Sequence, residues 1–229
     1  MRKLILIIPA LIMIQLATYS QEGISTLERY LDRLNRDKDY FGNPQLKYQD
    51  IDGTPYLHDG FMEGLLYMKS GVIYSGEYRY DIYADQIEFK RDENVFTVGI
   101  PDSIIKLQTE LFTIGYLEYL DKTTVRKSYL LLLEEGHYSL CHQKRKVFRK
   151  AEPVKPYQDA PTPARFDNAG DDYFLKVGDS PAEKITNAKD IIRICGADGE
   201  KAKNYVDKEK LNVKKEEDLI KLVKFLNEK

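Results

Sequence analysis

The sequence is poor in the residues that most often build metal and thiol sites. It has no tryptophan, two cysteines and three histidines in 229 residues. A structural zinc site needs three or four converging cysteine or histidine ligands, and so few of these residues argue against one. A basic excess is also missing, because 35 lysines and arginines face 37 aspartates and glutamates. This balance excludes the electrostatic footprint of a nucleic-acid-binding protein.

No apolar run is long enough to span a membrane, and the longest one lies at the N-terminus. Arg2 and Lys3 precede an apolar stretch at 4–16, which small residues follow up to Ser20. This order is typical of a secretory signal peptide, whereas a spanning helix needs roughly 20 apolar residues. No cysteine follows the run, so a bacterial lipid anchor is not expected. We predict a signal peptide at 1–20, cleavage before Gln21, and a periplasmic or secreted protein without a stable membrane anchor.

The mature chain is predicted to begin with a helix at 24–34. Leu27, Leu31 and Leu34 share one face of this helix, and Ser25 with Glu28 forms a capping box. The helix and the strands after it make up the first region, at 21–149.

From about Tyr56 to Val147 the hydrophobic pattern has a period of two, which is typical of half-buried strands. The segment at 129–133 is apolar throughout, as expected of a strand buried on both faces. Glu135 and Gly136 predict a hairpin. Strands are predicted at 77–83, 86–89, 95–100, 104–109, 111–119, 129–133 and 137–142.

The fold class that follows is α+β. We predict an antiparallel β-meander that forms a sandwich or a partly open barrel, with an N-terminal helix and a C-terminal helical segment.

A proline-rich linker is predicted at 150–170, because four of the nine prolines lie there. A short strand at 173–177 and three helices are expected in the last region, at 171–229. Asn187 can cap the first helix and Asp198 the second. The third has the clearest apolar face, with Leu219, Leu222, Val223 and Leu226.

The stretch from Tyr74 to Phe89, YSGEYRYDIYADQIEF, resembles a phrase in uncharacterised secreted β-rich proteins of Bacteroidetes-type bacteria. The end of the chain, with its LIKLVKFL helix, is also similar to theirs. The resemblance implies a cell-envelope or secreted location and a β-rich body. It implies no known activity and no catalytic residues.

No catalytic or metal site is predicted, and no cofactor. His137, Cys141 and His142 are close in sequence, but alternation on a strand would point His137 and His142 to opposite faces. Cys141 and Cys195 would meet an oxidising compartment, so a disulfide between them is one interpretation. Two buried free thiols are the other, and the apolar helical face that carries Cys195 favours it.

Two groups of residues are candidates for binding. The first is aromatic: Tyr74, Tyr78 and Tyr80 could stack on sugar rings or pack on a protein partner, although tyrosine also favours strands as core. The second is basic: Lys144, Arg145 and Lys146 could bind an anionic surface, although basic runs are more often solvated strand edges.

The leading hypothesis is therefore an exported cell-envelope protein, a non-catalytic binding or assembly module. Its partner would be an unknown envelope protein or glycan. The alternative is a hydrolase that acts on an envelope or extracellular polymer through a pair of carboxylates. No such pair can be chosen from the sequence, since acidic residues are plentiful throughout.

Overall fold

The computed structural model describes Tyr48 and residues 51–154, 156–157 and 160–228. This part of the chain folds into antiparallel strands followed by a helical C-terminal segment. The helices are α1 (Ala188–Cys195), α2 (Gly199–Glu209) and α3 (Glu216–Asn227). The strands are β1 (Met62–Met68), β2 (Ile73–Asp81), β3 (Gln86–Arg91), β4 (Asn94–Thr97), β5 (Ile104–Thr109), β6 (Thr113–Asp121), β7 (Thr124–Glu134), β8 (Tyr138–Arg149), β9 (Arg165–Val177) and β10 (Glu183–Ile185).

All ten strands belong to one sheet, in the order β10-β9-β8-β7-β6-β5-β1-β2-β3-β4. Every pair of neighbours is antiparallel. Most neighbours are also consecutive in sequence, as expected of a meander. The exception is β1, which pairs with both β2 and β5, so that the β2-β3-β4 hairpins extend the sheet on one side. The strands therefore form one open sheet and not the predicted sandwich of two sheets.

One half of the sheet curls over its first face and encloses the larger core. The curl brings β2 against β7, although three strands lie between them in the sheet. Tyr80 on β2 meets Tyr129 on β7 with ring centroids 5.8 Å apart, and its hydroxyl lies 3.4 Å from the Tyr129 carbonyl. Leu66, Ile87 and Leu107 fill the space between these strands.

The other half of the sheet encloses a small core on the second face. Leu130 of β7, Cys141 of β8 and Phe174 of β9 meet there. Ala182 closes this side, because its amide donates to the Glu118 carbonyl at 2.8 Å and its carbonyl accepts from Leu120 at 2.9 Å. The part of β7 at 129–133 thus packs against a core on each face of the sheet, as its unbroken apolar sequence predicts.

The helical segment covers the first face of β8, β9 and β10. Leu140 and Leu175 from the sheet pack against Leu219, Leu222 and Ile191 from the helices. All five side chains are almost fully inaccessible to solvent, so this packing fixes the C-terminal segment on the sheet.

The start of α1 follows the prediction. The Asn187 side chain accepts from the Lys189 amide at 2.9 Å, and Asp190 completes a capping box. The predicted cap of α2 differs, because Asp198 makes no side-chain capping bond. Its carboxylate accepts from the Tyr138 hydroxyl at 2.6 Å and so ties the helices to β8.

Two regional predictions need further comment. The helix predicted at 24–34 lies outside the described residues. The linker predicted at 150–170 is too long, since β9 already begins at Arg165 and pairs with β8 through Arg149. The strand predicted at 173–177 is the end of this longer strand.

Candidate ligand-binding site

The structure separates the three candidate tyrosines. Tyr78 and Tyr80 are each 4% exposed and belong to the core, whereas Tyr74 is 54% exposed. Tyr78 is tied to Tyr74 by a hydrogen bond from its hydroxyl to the Tyr74 carbonyl, 3.1 Å long. Of the two interpretations of these tyrosines, packing in the core therefore applies to Tyr78 and Tyr80, and an exposed ring is left only at Tyr74. The curl of the sheet covers the inner two and leaves Tyr74 at the surface.

The basic run on β8 is matched by an acidic run on β9. Lys144 pairs in register with Asp171, and Arg145 bonds Asp172 at 2.5 Å. Asp172 also binds Lys184 at 2.6 Å. Lys146 lies opposite Asn168, beyond an irregularity in the register at Arg145. Neighbouring carboxylates already offset much of this positive charge, so an anion site at Lys144, Arg145 and Lys146 is not supported.

Cys141 and Cys195 are free and buried, and they lie on opposite faces of the sheet. Cys141 is in the small core of the second face, whereas Cys195 packs under the helices on the first. The disulfide interpretation is therefore wrong for this fold. Burial raises the pKa of the Cys141 thiol to about 12 and that of Cys195 to about 11, so both stay protonated at neutral pH.

No metal centre is found within the described part of the chain, where no three histidine, cysteine, aspartate or glutamate side chains gather closely enough. His142 lies beneath α3, stacked on Tyr173 at 4.5 Å and 3.1 Å from Glu216. His137 is exposed in the hairpin before β8. The two histidines therefore lie in different environments, one buried under a helix and one exposed in a hairpin.

An apolar cleft lies in the curled half of the sheet, among β1, β2, β3 and β4. Its volume is about 420 Å³. Apolar and aromatic side chains dominate its wall, which four separate segments of the chain contribute. The lining residues are Leu66, Met68, Tyr74, Ser75, Gly76, Tyr78, Phe89, Lys90, Arg91, Phe96, Thr97, Val98, Gly99 and Ile100.

The strand register shows which side chains face this apolar cleft. Tyr78 pairs with Phe89, and Phe89 with Phe96, so these three rings lie on one face. Phe89 and Phe96 are stacked with centroids 5.4 Å apart. Arg91 is two residues beyond Phe89 and shares its face, whereas Lys90 points to the other face, opposite Glu77. Arg91 is thus the cation that the cleft presents.

A second, polar hollow lies beyond Thr97, Val98 and Gly99, which line both cavities. Its volume is about 280 Å³. Asp85 is the one formally charged residue in its wall. The other lining residues are Ala84, Gln86, Pro101, Tyr116 and Tyr129.

Asp85 is held in the polar hollow by three donors. The Tyr80 hydroxyl donates to Oδ1 at 2.7 Å, the Tyr129 amide to Oδ1 at 3.2 Å, and the Ser128 hydroxyl to Oδ2 at 2.9 Å. Burial raises the pKa of the Asp85 carboxyl, although these hydrogen bonds act in the opposite direction. No cation within the described residues forms an ion pair with it.

The Tyr129 hydroxyl is buried and lacks a hydrogen-bond partner among the residues that the structure describes. Its ring packs on Tyr116 with centroids 5.0 Å apart. The Thr97 hydroxyl is also without a partner there. However, Thr97 pairs in register with Glu88, and its side chain therefore lies on the face of the sheet opposite to that of Phe89 and Phe96. Both residues line the polar hollow, but of the two only the Tyr129 side chain belongs to the larger core on the first face.

Sequence reasoning found Tyr74 and Tyr78 but missed Phe89, Phe96 and Asp85. Phe89 and Phe96 come together across a tight hairpin, and alternation in both strands could have signalled that pairing. Asp85 reads as an ordinary turn residue, and its contact with β7 spans 44 positions, beyond any local pattern.

The comparisons with family models, with curated proteins and with solved structures found no match. Among the described residues, no helix is both long and apolar enough to cross a membrane.

Proposed function

We propose that the protein is an exported, non-catalytic binding module of the bacterial cell envelope, periplasmic or secreted. The apolar cleft would hold its ligand, a small amphiphile with an apolar chain and an acidic group. The carrying observation is a cavity of about 420 Å³ whose wall is largely apolar. Small-molecule sites have this concave form and this mixture of apolar surface with a few polar groups.

The apolar part of the ligand would replace water on the rings of Phe89, Phe96 and Tyr78. Burial of apolar surface contributes roughly 25 cal/mol per Å², so a chain of modest length supplies several kcal/mol before the costs of binding. A glycan fits this cleft poorly, because its hydroxyls would meet few partners there.

The acidic group would bind Arg91, which shares the face of Phe89. Asp92 and Glu93 follow in the turn but do not line the cleft. No ion pair of Arg91 with another described residue competes with the ligand. The guanidinium can therefore form two parallel hydrogen bonds to a carboxylate or a phosphate.

The alternative of a carboxylate-pair hydrolase receives no support from these cavities. Asp85 is the one carboxylate among the residues that line the two of them. Glycoside hydrolysis of the usual kind needs two carboxyl groups about 5–9 Å apart across the scissile bond.

Calorimetric titration of the mature chain with dodecanoate tests this proposal. Gly76 lies on the cleft wall, and a new Cβ there would meet the Tyr78 ring at an ordinary 3.5 Å. Gly76→Leu should thus fill the cleft and weaken binding at least about tenfold, which corresponds to 1.4 kcal/mol. Gly60→Leu is the matched control, because nothing lies within 4 Å of a Cβ at Gly60.

Arg91→Gln distinguishes the contribution of the acidic group of the ligand from that of its apolar chain. It should weaken dodecanoate binding and leave the binding of neutral dodecanol unchanged. Equal affinity of the wild type and Gly76→Leu for dodecanoate would refute the cleft as the binding site.

A further inference from the structure

We propose that the polar hollow is a second site, which binds the primary ammonium group of a small ligand. Asp85 would form an ion pair with the ammonium, and the Tyr129 hydroxyl would accept one of its N–H bonds. This inference does not depend on the ligand of the apolar cleft, because neither Asp85 nor Tyr129 lines that cleft.

The first argument is charge. Asp85 lines a hollow to which no lysine, arginine or histidine contributes. Lys127 acts electrostatically on Tyr116 in the wall, but it is already bound to Asp102 at 2.7 Å and lies 3.7 Å from Glu118. A partly buried carboxylate without a counter-ion is costly, and a bound cation would remove that cost.

The second argument is hydrogen bonding. Three donors occupy Asp85, while its two oxygens offer about four acceptor positions, so one position stays open. The Tyr129 hydroxyl, on a residue that is 3% exposed, has no partner among the described residues. Buried polar groups are nearly always satisfied, and this one belongs to a residue that lines the hollow, so we assign its partner to the ligand. An ammonium group brings three N–H donors to this set.

The third argument is the aromatic wall. Tyr116 and Tyr129 are tilted against each other, with centroids 5.0 Å apart, at one side of the hollow. The face of a tyrosine ring attracts a cation within about 6 Å of its centroid. A neutral ligand gains nothing from this cation–π attraction, so the aromatic wall favours an amine over an alcohol.

The test is an amide NMR titration of the mature chain with three probes: ethanolamine, ethylene glycol and D-glucose. Ethanolamine and ethylene glycol differ by one ammonium in place of one hydroxyl. The proposal expects ethanolamine to shift the amides of Asp85, Gln86, Ser128 and Tyr129 and to saturate, and ethylene glycol to bind at least about tenfold more weakly. D-glucose should behave like ethylene glycol. If D-glucose binds as well as ethanolamine, the hollow recognises hydroxyl groups and the proposal is wrong.

Two variants locate the interaction. Asp85→Asn keeps a residue that tolerates the positive φ of 51° at this turn, and should weaken ethanolamine binding at least about tenfold. Tyr129→Phe removes the unpartnered hydroxyl and should weaken binding about threefold to tenfold, while the urea midpoint of the free protein stays equal or rises.

A hydroxyl with a purely structural role would give the reverse pattern: a lower midpoint and unchanged affinity. That result would overturn the proposal, as would ethanolamine binding that survives in Asp85→Asn. Absence of any saturable shift with ethanolamine would overturn it as well.

Discussion

Arg79 and Glu88 form the most buried ion pair that the structure describes, on the face of β2 and β3 opposite the apolar cleft. The side chains are 16% and 2% exposed, and Nη2 lies 2.6 Å from the Glu88 carboxylate. The guanidinium also stacks over Tyr56 at 3.5 Å and lies 4.3 Å from the centre of Phe61. Arg79 thus joins β3 to the segment that precedes β1.

We predict that Arg79→Met destabilises the fold by about 3–5 kcal/mol, because it leaves the Glu88 carboxylate buried without its cation. Urea unfolding followed by circular dichroism measures the change. The double variant Arg79→Met with Glu88→Leu should recover much of the loss, because both charges of the pair are then removed. A loss below about 1 kcal/mol in the single variant would show that Glu88 does not depend on Arg79.

At the scale of single elements, the alternation of apolar residues was a reliable guide. The strand predicted at 104–109 is β5 with the same bounds, and the strand predicted at 86–89 is the body of β3. Asn187 caps α1 as its sequence indicates, because both halves of the capping box are local. Elements whose signal lies within a few residues could be predicted.

Two strands gave no such signal. β1 has the sequence MEGLLYM, in which Gly64 and the adjacent Leu65 and Leu66 break the alternation. Pairing with β2 on one side and β5 on the other sets its conformation. β10 spans three residues, too short for any period, and is held by its pairing with β9. Tertiary contacts therefore determine the extended conformation of both strands.

The contact between β8 and α3 depends on pH through His142. Burial lowers the pKa of His142 below its usual 6.5, while Asp171 and Glu216 act in the opposite direction more weakly. Since the unfolded chain takes up a proton at a higher pH, the contribution of His142 is fully present above pH 6.5. It is lost as the pH falls through the folded pKa.

We therefore expect the free energy of unfolding to fall more steeply between about pH 7 and pH 5 in the wild type than in His142→Gln, by at most about 1.4 kcal/mol per pH unit. Urea titrations at several pH values measure both slopes. His137→Gln, at an exposed position in the hairpin, controls for the loss of a histidine as such. Parallel curves for the wild type and His142→Gln would contradict the assignment.

At the scale of the whole molecule, the order of the strands and the curl of the sheet were beyond sequence reasoning. The apolar cleft draws on β1, on the consecutive strands β2, β3 and β4, and on the residues that follow β4 up to Ile100. The pairing of β1 with β5, which fixes the place of β1 in the sheet, is not a local pattern. Tyr80 shows which part of the structure could not be predicted. Its position on the face of Tyr78 was predicted correctly, but the curl that buries both rings against β7 is a long-range property.

Export makes a separate prediction for the whole chain. If residues 1–20 are a signal peptide, the protein recovered from the periplasm or medium of a bacterial host should begin at Gln21. Mass spectrometry of the intact protein measures this. Recovery from the membrane fraction with Met1 retained would contradict the proposed location. It would leave the two cavities to be tested on their own.

The central claim is that the apolar cleft receives a ligand, and chemical-shift mapping of the mature chain with dodecanoate tests it most directly. The account predicts saturable shifts that cluster on the four segments of the cleft, at 66–68, 74–78, 89–91 and 96–100. These shifts should be lost in Gly76→Leu and retained in Gly60→Leu. Shifts that centre on the α3 face or on β8 and β9, or no saturable shift at all, would contradict the claim.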